Sequence, residues 1–319
     1  MKSVLITDDC HPVLIEGLVS LGYVCEFQPN ITQQETLGQI PGYEGLIINS
    51  KIRVDQNFLD AAVNLKFIGR LGSGMEIVDQ GYAEKKKIAV FSSPEGNRNA
   101  VAEHALGMLL SLANNLNRGD YEVRQNIWNR EENRGFELKN KILGIIGFGN
   151  TGSQFARKLL GMEMQILAFD KYNPVDNRVE DAMVKASSME EIQARADIIS
   201  LHLPLTEETR YIVDKEFISG CKNGFILLNT SRGKCVKTKD LIVALETGKV
   251  GGACLDVFEN EKPGTFSEDE KKMYDQLHAF ENVIFSPHVA GWTHESKKLL
   301  AEILLEKIKS IQPINLNCQ

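Results

Sequence analysis

The sequence has little that would suit an oxidising compartment, a metal cluster or a membrane. Its cysteines are scattered, with no CxxC pair: Cys10, Cys25, Cys221, Cys235, Cys254 and Cys318. This spacing argues against a disulfide framework and against a zinc site, and it favours reduced thiols in a cytoplasm. No apolar run approaches the roughly 20 residues that cross a bilayer. The first residues become acidic at Asp8 and Asp9, which is too early for a signal peptide.

Positive charge is also in short supply. The 36 lysines and arginines are outnumbered by 43 aspartates and glutamates, which gives a formal net charge of −7. That balance argues against a nucleic acid or an anionic membrane as a partner. A hydrophobic fraction of 43% and a charged fraction of 25% are typical of a globular protein. A length of 319 residues suits two domains.

Residues 141–170 have the pattern of a dinucleotide-binding unit. An apolar run at 142–146 predicts a buried strand, a helical pattern follows, and a second strand is predicted to end at Asp170. The glycine-rich turn between the first strand and the helix consists of Gly147, Phe148, Gly149, Asn150, Thr151 and Gly152. Because strand, glycines, helix and acid are in register, we expect this turn to bind the pyrophosphate of a nucleotide cofactor.

The glycines and the acid of this unit have separate tasks. Gly147 permits the tight turn, Gly149 lets the pyrophosphate approach the backbone, and Gly152 lets the helix pack closely on the strand. Asp170 can accept hydrogen bonds from a ribose diol and would repel a 2′-phosphate, so we expect NAD rather than NADP as the cofactor. The cation of the neighbouring Lys171 weakens that preference.

Short apolar runs alternate with helical patterns along the chain, which predicts parallel α/β sheets. In the first 98 residues the expected strands are 4–6, 23–27, 46–48, 67–68 and 89–91, with helices at 13–21 and 58–63. Six further strands are expected at 142–146, up to 170, and at 196–201, 224–229, 252–256 and 283–285. We therefore predict an α/β protein in which a Rossmann doubly wound parallel sheet is inserted in a smaller flavodoxin-like parallel α/β domain.

The domain boundaries follow from the helical patterns. Helices are predicted at 99–116 and 120–128, and we expect them to bridge the first domain to the second, with His104 in a structural role. A last helix at about 293–311 has no strand left to serve in the second domain, so we expect it to pack on the first. The predicted domains are therefore residues 1–98 with 293–319, and residues 99–292.

Candidate site residues follow four strands of the predicted nucleotide-binding sheet. They are His202 and Pro204, Thr230 and Arg232, Asp256 with Glu259 and Glu261, and His288. Ligands of such sheets bind at the carboxyl ends of the strands, so these residues are expected to converge on one rim. There a histidine titrates near neutral pH, a carboxylate stabilises the imidazolium, and a guanidinium matches a substrate carboxylate.

The segments 144–149, 229–233, 255–261 and 286–291 resemble the motifs of the NAD-dependent D-isomer-specific 2-hydroxyacid dehydrogenases, and the resemblance covers nearly the whole chain. It implies that Arg232, Glu261 and His288 are catalytic. It also implies that residues 99–292 bind NAD, and that residues 1–98 with 293–319 bind the substrate. The implied reaction transfers a hydride between NAD(H) and C2 of a small D-2-hydroxy or 2-keto acid, with His288 exchanging the proton and no metal needed.

The same resemblance assigns the remaining binding residues. Cofactor contacts are implied for the glycine turn, Asp170, His202, Pro204, Thr230 and Asp256, the last beside the nicotinamide. The substrate carboxylate is implied to lie on the backbone of Leu71, Gly72, Ser73 and Gly74. The glycines of this loop also suit a small anion nest, although an ordinary solvated loop has the same composition.

Two departures from the family pattern leave one assignment open. The family usually has proline directly after the catalytic glutamate, whereas Lys262 here precedes Pro263. The segment between Glu261 and His288 is also several residues longer than usual. Glu259 is therefore an alternative partner for His288.

The substrate is less constrained than the reaction. The segment containing Ser50, Lys51 and Arg53 resembles the phosphate-binding loop of D-3-phosphoglycerate dehydrogenases. Because the two cations alternate along the chain, we expect only one of them to face the substrate; alternatively, both are solvated surface charges. The best prediction is D-3-phosphoglycerate and 3-phosphohydroxypyruvate, in a short form without a C-terminal regulatory domain. Glyoxylate, hydroxypyruvate or another 2-keto acid is the alternative.

The resemblance also implies partners. A homodimer is expected, with a contribution from the long helix at 99–116 and with a cleft that closes on the substrate. Transcriptional corepressors that resemble this family bind NAD and act as dimeric scaffolds, which is a remote alternative for the function. The intact set of Arg232, Glu261 and His288 favours the enzyme.

Overall fold

A computed structural model describes residues 2–173, 175 and 184–311. The chain divides into two compact units, one formed by Met1–Arg98 with Trp292–Gln319 and the other by Asn99–Gly291. Cys318 and the end of the predicted first domain, residues 312–319, lie outside the described residues.

The helices and strands are named in chain order. Those of the first 97 residues are β1 (Ser3–Ile6), α1 (Pro12–Ser20), β2 (Val24–Phe27), α2 (Gln33–Gln39), β3 (Gly45–Ile48), α3 (Gln56–Ala61), β4 (Phe67–Arg70), α4 (Gln80–Lys85) and β5 (Ala89–Ser92). Next come α5 (Arg98–Ala113), α6 (Leu116–Arg124), β6 (Ile142–Ile146), α7 (Asn150–Leu159), β7 (Gln165–Phe169), β8 (Val184–Ala186), α8 (Met189–Arg195), β9 (Ile198–Leu201) and α9 (Lys215–Gly220). The last are β10 (Phe225–Asn229), α10 (Thr238–Glu246), β11 (Val250–Leu255), α11 (Glu268–His278), β12 (Val283–Phe285) and α12 (His294–Lys309).

The first unit contains a five-stranded parallel sheet with the order β2-β1-β3-β4-β5. This is the strand order of flavodoxin-like folds, as predicted. Both faces of the sheet are covered: Val4 and Ile6 belong to the cluster that contains α1 and α12, whereas Leu5 belongs to the cluster that contains α3 and α4. Burial on both faces explains why the central strands are continuous apolar runs.

The last helix packs where the sequence predicted. α12 begins after Thr293, whose side chain accepts a hydrogen bond from the N–H of Ser296. Its residues Ala301, Leu304 and Ile308 have no exposed surface and complete the core of the first unit. The α1–α12 contact is close, because a Cβ at Gly17 would lie 2.0 Å from the Leu305 side chain.

The second unit contains a parallel sheet of seven strands in the order β12-β11-β10-β9-β6-β7-β8. The order reverses between β6 and β9, which is where ligands bind in doubly wound sheets. The prediction of six strands was one too few. The additional strand, β8, has three residues at the sheet edge, and only Val184 is partly buried, so it lacks an apolar run that would reveal it.

Several helix predictions also needed correction. The predicted helix at 99–116 ends earlier, as α5 at Ala113, and the helix predicted at 120–128 is α6, Leu116–Arg124. Left-handed backbone at Asn115, with φ 51°, and at Asn126, with φ 59°, interrupts the helical path at both places. The short helices α2 and α4 were missed. Among the described residues, no helix is both long enough and apolar enough to cross a membrane.

Candidate functional site

The glycine turn after β6 is crowded on two sides and open on the third. Gly147 has a φ of 92°, and a Cβ there would lie 2.3 Å from the carbonyl oxygen of His202. A Cβ at Gly152 would lie 2.1 Å from the carbonyl oxygen of Gly147, whereas one at Gly149 would meet no atom of the described residues within 4 Å. The turn therefore excludes side chains where backbone meets backbone and leaves space at Gly149.

This turn fits a phosphate group. α7 begins within it, at Asn150, so the first N–H groups of the helix, those of Asn150 and Thr151 included, have no acceptor within the helix. Such groups and the helix dipole favour an anion. The side chain of Phe148 is fully buried in the core, so only its main chain lies at the turn.

Asp170 lies directly after β7 and is tied to the same turn. Its Oδ2 accepts a hydrogen bond of 2.8 Å from the N–H of Phe148, and its Oδ1 accepts from the N–H groups of Tyr172 and Asn173 at 2.9 and 2.8 Å. Partial burial raises the pKa of this carboxyl, but these hydrogen bonds outweigh it and hold the pKa below its ordinary value. Asp170 is therefore an anion at neutral pH.

The cation beside Asp170 is paired. The ammonium of Lys171 lies 2.7 Å from Oε2 of Glu208, and the hydroxyl of Tyr172 donates to the same oxygen at 2.8 Å. Glu208 compensates the charge of Lys171, so this lysine should attract a 2′-phosphate less, and weaken the preference for NAD less, than the sequence suggested.

Two buried polar atoms near the carboxyl ends of β9 and β10 lack partners among the described residues, Nδ1 of His202 and Oγ1 of Thr230. Nε2 of His202 lies 2.9 Å from the hydroxyl of Ser200, and burial lowers the pKa of His202 to about 3, so the ring is neutral. Buried polar atoms are normally satisfied, so the two orphans suit a bound polar group. Both residues were predicted to contact the cofactor. Pro204, also predicted, lies exposed on the loop after β9.

The loop that carries Arg232 is built by its neighbours. Asn229 is fully buried; its amide donates to the carbonyl of Arg232 at 2.9 Å, and its Oδ1 accepts from Ser231. The next residue, Gly233, allows a close approach, since a Cβ there would lie 1.9 Å from the backbone of Phe258. The Arg232 guanidinium donates to the carbonyl of Ser231 at 2.7 Å and remains partly exposed.

Glu261 and His288 are in direct contact. Nδ1 of His288 lies 2.7 Å from Oε2 of Glu261. Burial raises the pKa of Glu261, but the hydrogen bond and the charge of His288, the N–H of Phe258 and the charge of Arg232 together hold it below its ordinary value. An ionised carboxylate only accepts, so Nδ1 carries the proton. Nε2 is then the nitrogen left for chemistry.

Glu259 is engaged elsewhere. Its Oε2 accepts from the hydroxyl of Tyr211 at 2.6 Å, and its Oε1 accepts from the N–H of Thr238 at 2.8 Å, at the start of α10. It therefore ties two loops together, and Glu261 is the glutamate in contact with His288.

Asp256 lies directly after β11, and hydrogen-bond donors enclose its carboxylate. Its carboxylate is fully buried and accepts hydrogen bonds from the hydroxyl of Ser286 at 2.6 Å and from the N–H groups of Val289 and Ala290, both at 2.9 Å. Its carbonyl oxygen accepts from the N–H of His288 at 2.8 Å. Because these bonds occupy both carboxylate oxygens, Asp256 supports the loop that carries His288.

In the first unit, the glycine loop after β4 is held by Arg70. The guanidinium of Arg70 donates to the carbonyl of Asn49 at 3.0 Å and to the carbonyl of Gly74, so it joins this loop to the loop after β3. The N–H groups of Leu71 and Gly72 donate to the carbonyls of Ile48 and Arg70. Of the four predicted carboxylate-binding residues, only Ser73 and Gly74 have N–H groups without an acceptor among the described residues.

The loop after β3 presents both cations. Ser50, Lys51 and Arg53 are exposed, while Ile52 between the cations is fully buried. Both cations lie on the same side of the segment, because residues two apart in an extended segment share a side. Which of them faces the substrate stays a prediction. The ammonium of Lys51 donates to the carbonyl of Pro29, and the backbone of Arg53 pairs with the side chain of Gln33.

The sequence did not predict a role for some of these supporting residues. Asn229, Ser286 and Arg70 lie inside or beside the recognised motifs but received no role. The only signal was a polar residue directly at the end of an apolar strand, where buried polar groups need partners.

Over residues 2–173, 175 and 184–311, no three His, Cys, Asp or Glu side chains converge as a metal site would require.

Comparisons with known proteins point to one family. A family model described as the NAD binding domain of D-isomer specific 2-hydroxyacid dehydrogenases matches residues 106–290. The chain is 32% identical over 305 residues to a D-3-phosphoglycerate dehydrogenase of Archaeoglobus fulgidus, covering 96% of this chain and 56% of that protein. It thus spans little more than half the length of that relative. It is 34% identical over 279 residues to a hydroxypyruvate reductase of Thermotoga maritima, covering 88% of each.

A solved structure gives the same result. The crystal structure of a D-lactate dehydrogenase from Aquifex aeolicus, complexed with NAD and lactic acid, matches with a TM-score of 0.84 and 28% identity, over 97% of this chain and 95% of that one. The family model spans the glycine turn, Asp170, Arg232, Glu261 and His288. The chain therefore belongs to the D-isomer specific 2-hydroxyacid dehydrogenase family, and residues 106–290 form its NAD-binding domain.

Proposed function

We propose that the protein is an NAD-dependent oxidoreductase that interconverts a small D-2-hydroxy acid and its 2-keto acid. The observation that carries this proposal is the 2.7 Å contact between His288 and Glu261, close enough to Arg232 for its charge to lower the pKa of Glu261. The pair supplies a proton donor held by an anion, and the arginine supplies a donor fork for a carboxylate or a carbonyl.

The residues divide the work as follows. Arg232 binds the substrate carboxylate and polarises the C2 carbonyl. In the first unit, the N–H groups of Ser73 and Gly74 have no acceptor among the described residues and suit an anion. Bound NADH supplies the hydride to C2. His288 gives the proton from Nε2 to the C2 oxygen, while Glu261 stabilises the imidazolium; in the reverse direction His288 is the base.

The corepressor-like alternative is disfavoured by the same geometry. A scaffold that only binds NAD has no need of a proton donor in contact with an ionised partner. Oxidation of NADH with a panel of keto acids separates the two functions.

The first prediction concerns the proton donor. Reduction needs protonated His288, so its rate falls as the pH rises. In Glu261→Gln the imidazolium loses its anionic partner, and the basic limb of the kcat/KM profile should move to lower pH. His288→Ala should lower kcat severely and leave NADH binding nearly unchanged. Glu259→Gln is the control and should leave the basic limb in place. The reverse pattern would assign the role to Glu259.

The second prediction concerns the cofactor. Asp170→Ala should reduce the preference for NADH over NADPH, because it removes the anion that binds a ribose diol and repels a 2′-phosphate. Loss of a charged hydrogen bond of about 1.5–3 kcal/mol should weaken NADH binding by roughly tenfold to a hundredfold. Titration of protein fluorescence measures both affinities. Glu163→Gln, at the opposite end of β7, is the control. Equal affinity for both cofactors in the unmutated protein would contradict the assignment.

The third prediction concerns assembly. We propose a homodimer, and the surface that favours it is α6 with the residues after it rather than α5. Most apolar residues of α5 are buried, whereas α6 has no buried residue. The exposed apolar residues there are Leu116, Tyr121, Val123, Ile127, Trp128 and Phe136. An apolar surface of this kind marks an interaction site.

Light scattering at micromolar concentration should therefore give the mass of a dimer. Trp128, which is 75% exposed, is central to the test: Trp128→Glu should shift the protein towards the monomer. Val63→Glu, at a 72% exposed apolar position of the first unit, is the matched control and should not. A monomeric unmutated protein would rule out the proposed dimer.

The fourth prediction concerns the substrate. We propose that a phosphorylated C3 acid, 3-phosphoglycerate with its keto form, is preferred. The support is the exposed pair Lys51 and Arg53, on a loop that Arg70 joins to the carboxylate-binding loop, and the name of the Archaeoglobus relative. A lysine has three donors, so the contact of Lys51 with Pro29 leaves two for a phosphate. The hydroxypyruvate reductase of Thermotoga maritima keeps the unphosphorylated acid as the alternative.

The measurement is kcat/KM for 3-phosphohydroxypyruvate against hydroxypyruvate and glyoxylate. One lost phosphate contact should cost about 1.5–3 kcal/mol, roughly tenfold to a hundredfold. Lys51→Ala with Arg53→Ala should abolish the preference for the phosphorylated acid and leave glyoxylate turnover nearly unchanged. Lys66→Ala, just before β4 and therefore at the opposite end of the strands, is the control. A better rate with glyoxylate or hydroxypyruvate in the unmutated protein would refute the phosphate assignment.

A further inference from the structure

His104 of α5 lies beside Ser286 and Asp256, which support the loop that carries His288. Its Nε2 is 2.8 Å from the hydroxyl oxygen of Ser286 and 3.6 Å from Oδ1 of Asp256. The ring is partly buried, with 28% of its side-chain surface exposed. This contact joins a helix at residue 104 to the residues that follow β11 and β12.

The available protons determine which atom donates in the His104–Ser286 and Ser286–Asp256 contacts. Ser286 has one hydroxyl proton, and its oxygen lies 2.6 Å from Oδ1 of the fully buried Asp256 carboxylate, which needs donors. If the serine gave its proton to His104, two acceptor oxygens would face each other at 2.6 Å. The serine therefore donates to Asp256, and His104 donates to the serine from a protonated Nε2.

The hydrogen-bond network that runs from His104 through Ser286 to Asp256 includes the backbone of His288. Asp256 accepts from the N–H groups of Val289 and Ala290 with its carboxylate and from the N–H of His288 with its carbonyl. His288 has a φ of 56°, a left-handed conformation that costs free energy outside glycine and persists only where surrounding contacts impose it. The aim of the His288 side chain thus depends on the donors that hold Asp256.

We propose that His104 is a positioning residue for proton transfer: its Nε2–H orients Ser286, which completes the donor set of Asp256 and so fixes the backbone that aims His288. This role rests on the proposed reduction of a 2-keto acid with His288 as the proton donor. His104 itself does not touch the reacting atoms. It was expected from the sequence to be structural, and the network gives it a specific task.

The test compares His104→Ala with His104→Gln. Misplacement of a reacting group by about 1 Å can cost up to a hundredfold in rate, so His104→Ala should lower kcat for keto-acid reduction by roughly tenfold to a hundredfold. NADH affinity, measured by fluorescence titration, should stay near that of the unmutated protein. The amide nitrogen of Gln can replace Nε2 as a donor, so His104→Gln should recover most of kcat.

Ser286→Ala gives an independent measurement if His104→Ala folds poorly. It removes the intermediate hydroxyl and should lower kcat similarly, again with NADH affinity retained. In the Ser286→Ala background, His104→Ala should add little, because the two residues act through one path.

The outcomes separate the possibilities. Normal kcat in His104→Ala, equal losses in the Ala and Gln variants, or a parallel loss of NADH affinity would each overturn the positioning role while the proposed function stands. An unmutated protein that reduces no 2-keto acid would overturn the proposed function and this proposal with it.

Discussion

A carboxylate without access to water, that of Asp256, accepts hydrogen bonds from Ser286, Val289 and Ala290. Burying such a charge is costly unless donors surround it, so the loop after β12 must keep its N–H groups aimed inward. That requirement places His288 in a left-handed conformation, from which its Nδ1 reaches Glu261. His288 is thus placed by an anion that it does not touch with its own side chain.

The sequence predicted much of this architecture, because its local and global signals agree. The apolar runs that alternate with helical patterns predict both parallel sheets. The glycine turn and Asp170 predict the nucleotide-binding unit. The contact of Glu261 with His288 was a prediction from resemblance, with Glu259 left open. Only the three-dimensional structure separates them, since it shows Glu259 bonded to Tyr211 and Thr238.

Other features had no signal in the sequence. β8 is too short and too exposed to form an apolar run, and the ends of α5 and α6 depend on left-handed asparagines that a helical pattern does not reveal. The Asp256 network joins residues far apart along the chain, so neither spacing nor periodicity could show that His104 and Ser286 meet there. Likewise, the bridge from Arg70 to Asn49 and Gly74 depends on side-chain reach rather than on pattern.

The placement of α12 has a consequence for how the chain folds as it is made. The core of the first unit needs Leu304 and Ile308, which are fully buried against residues from β1 and α1. These residues leave the ribosome after all of Asn99–Gly291. Domains generally fold as units during synthesis, so the later-made unit can complete its sheet while the earlier one still exposes an apolar face. We therefore expect the amino-terminal part of the chain to become compact last, and to keep an apolar face exposed until α12 has been made.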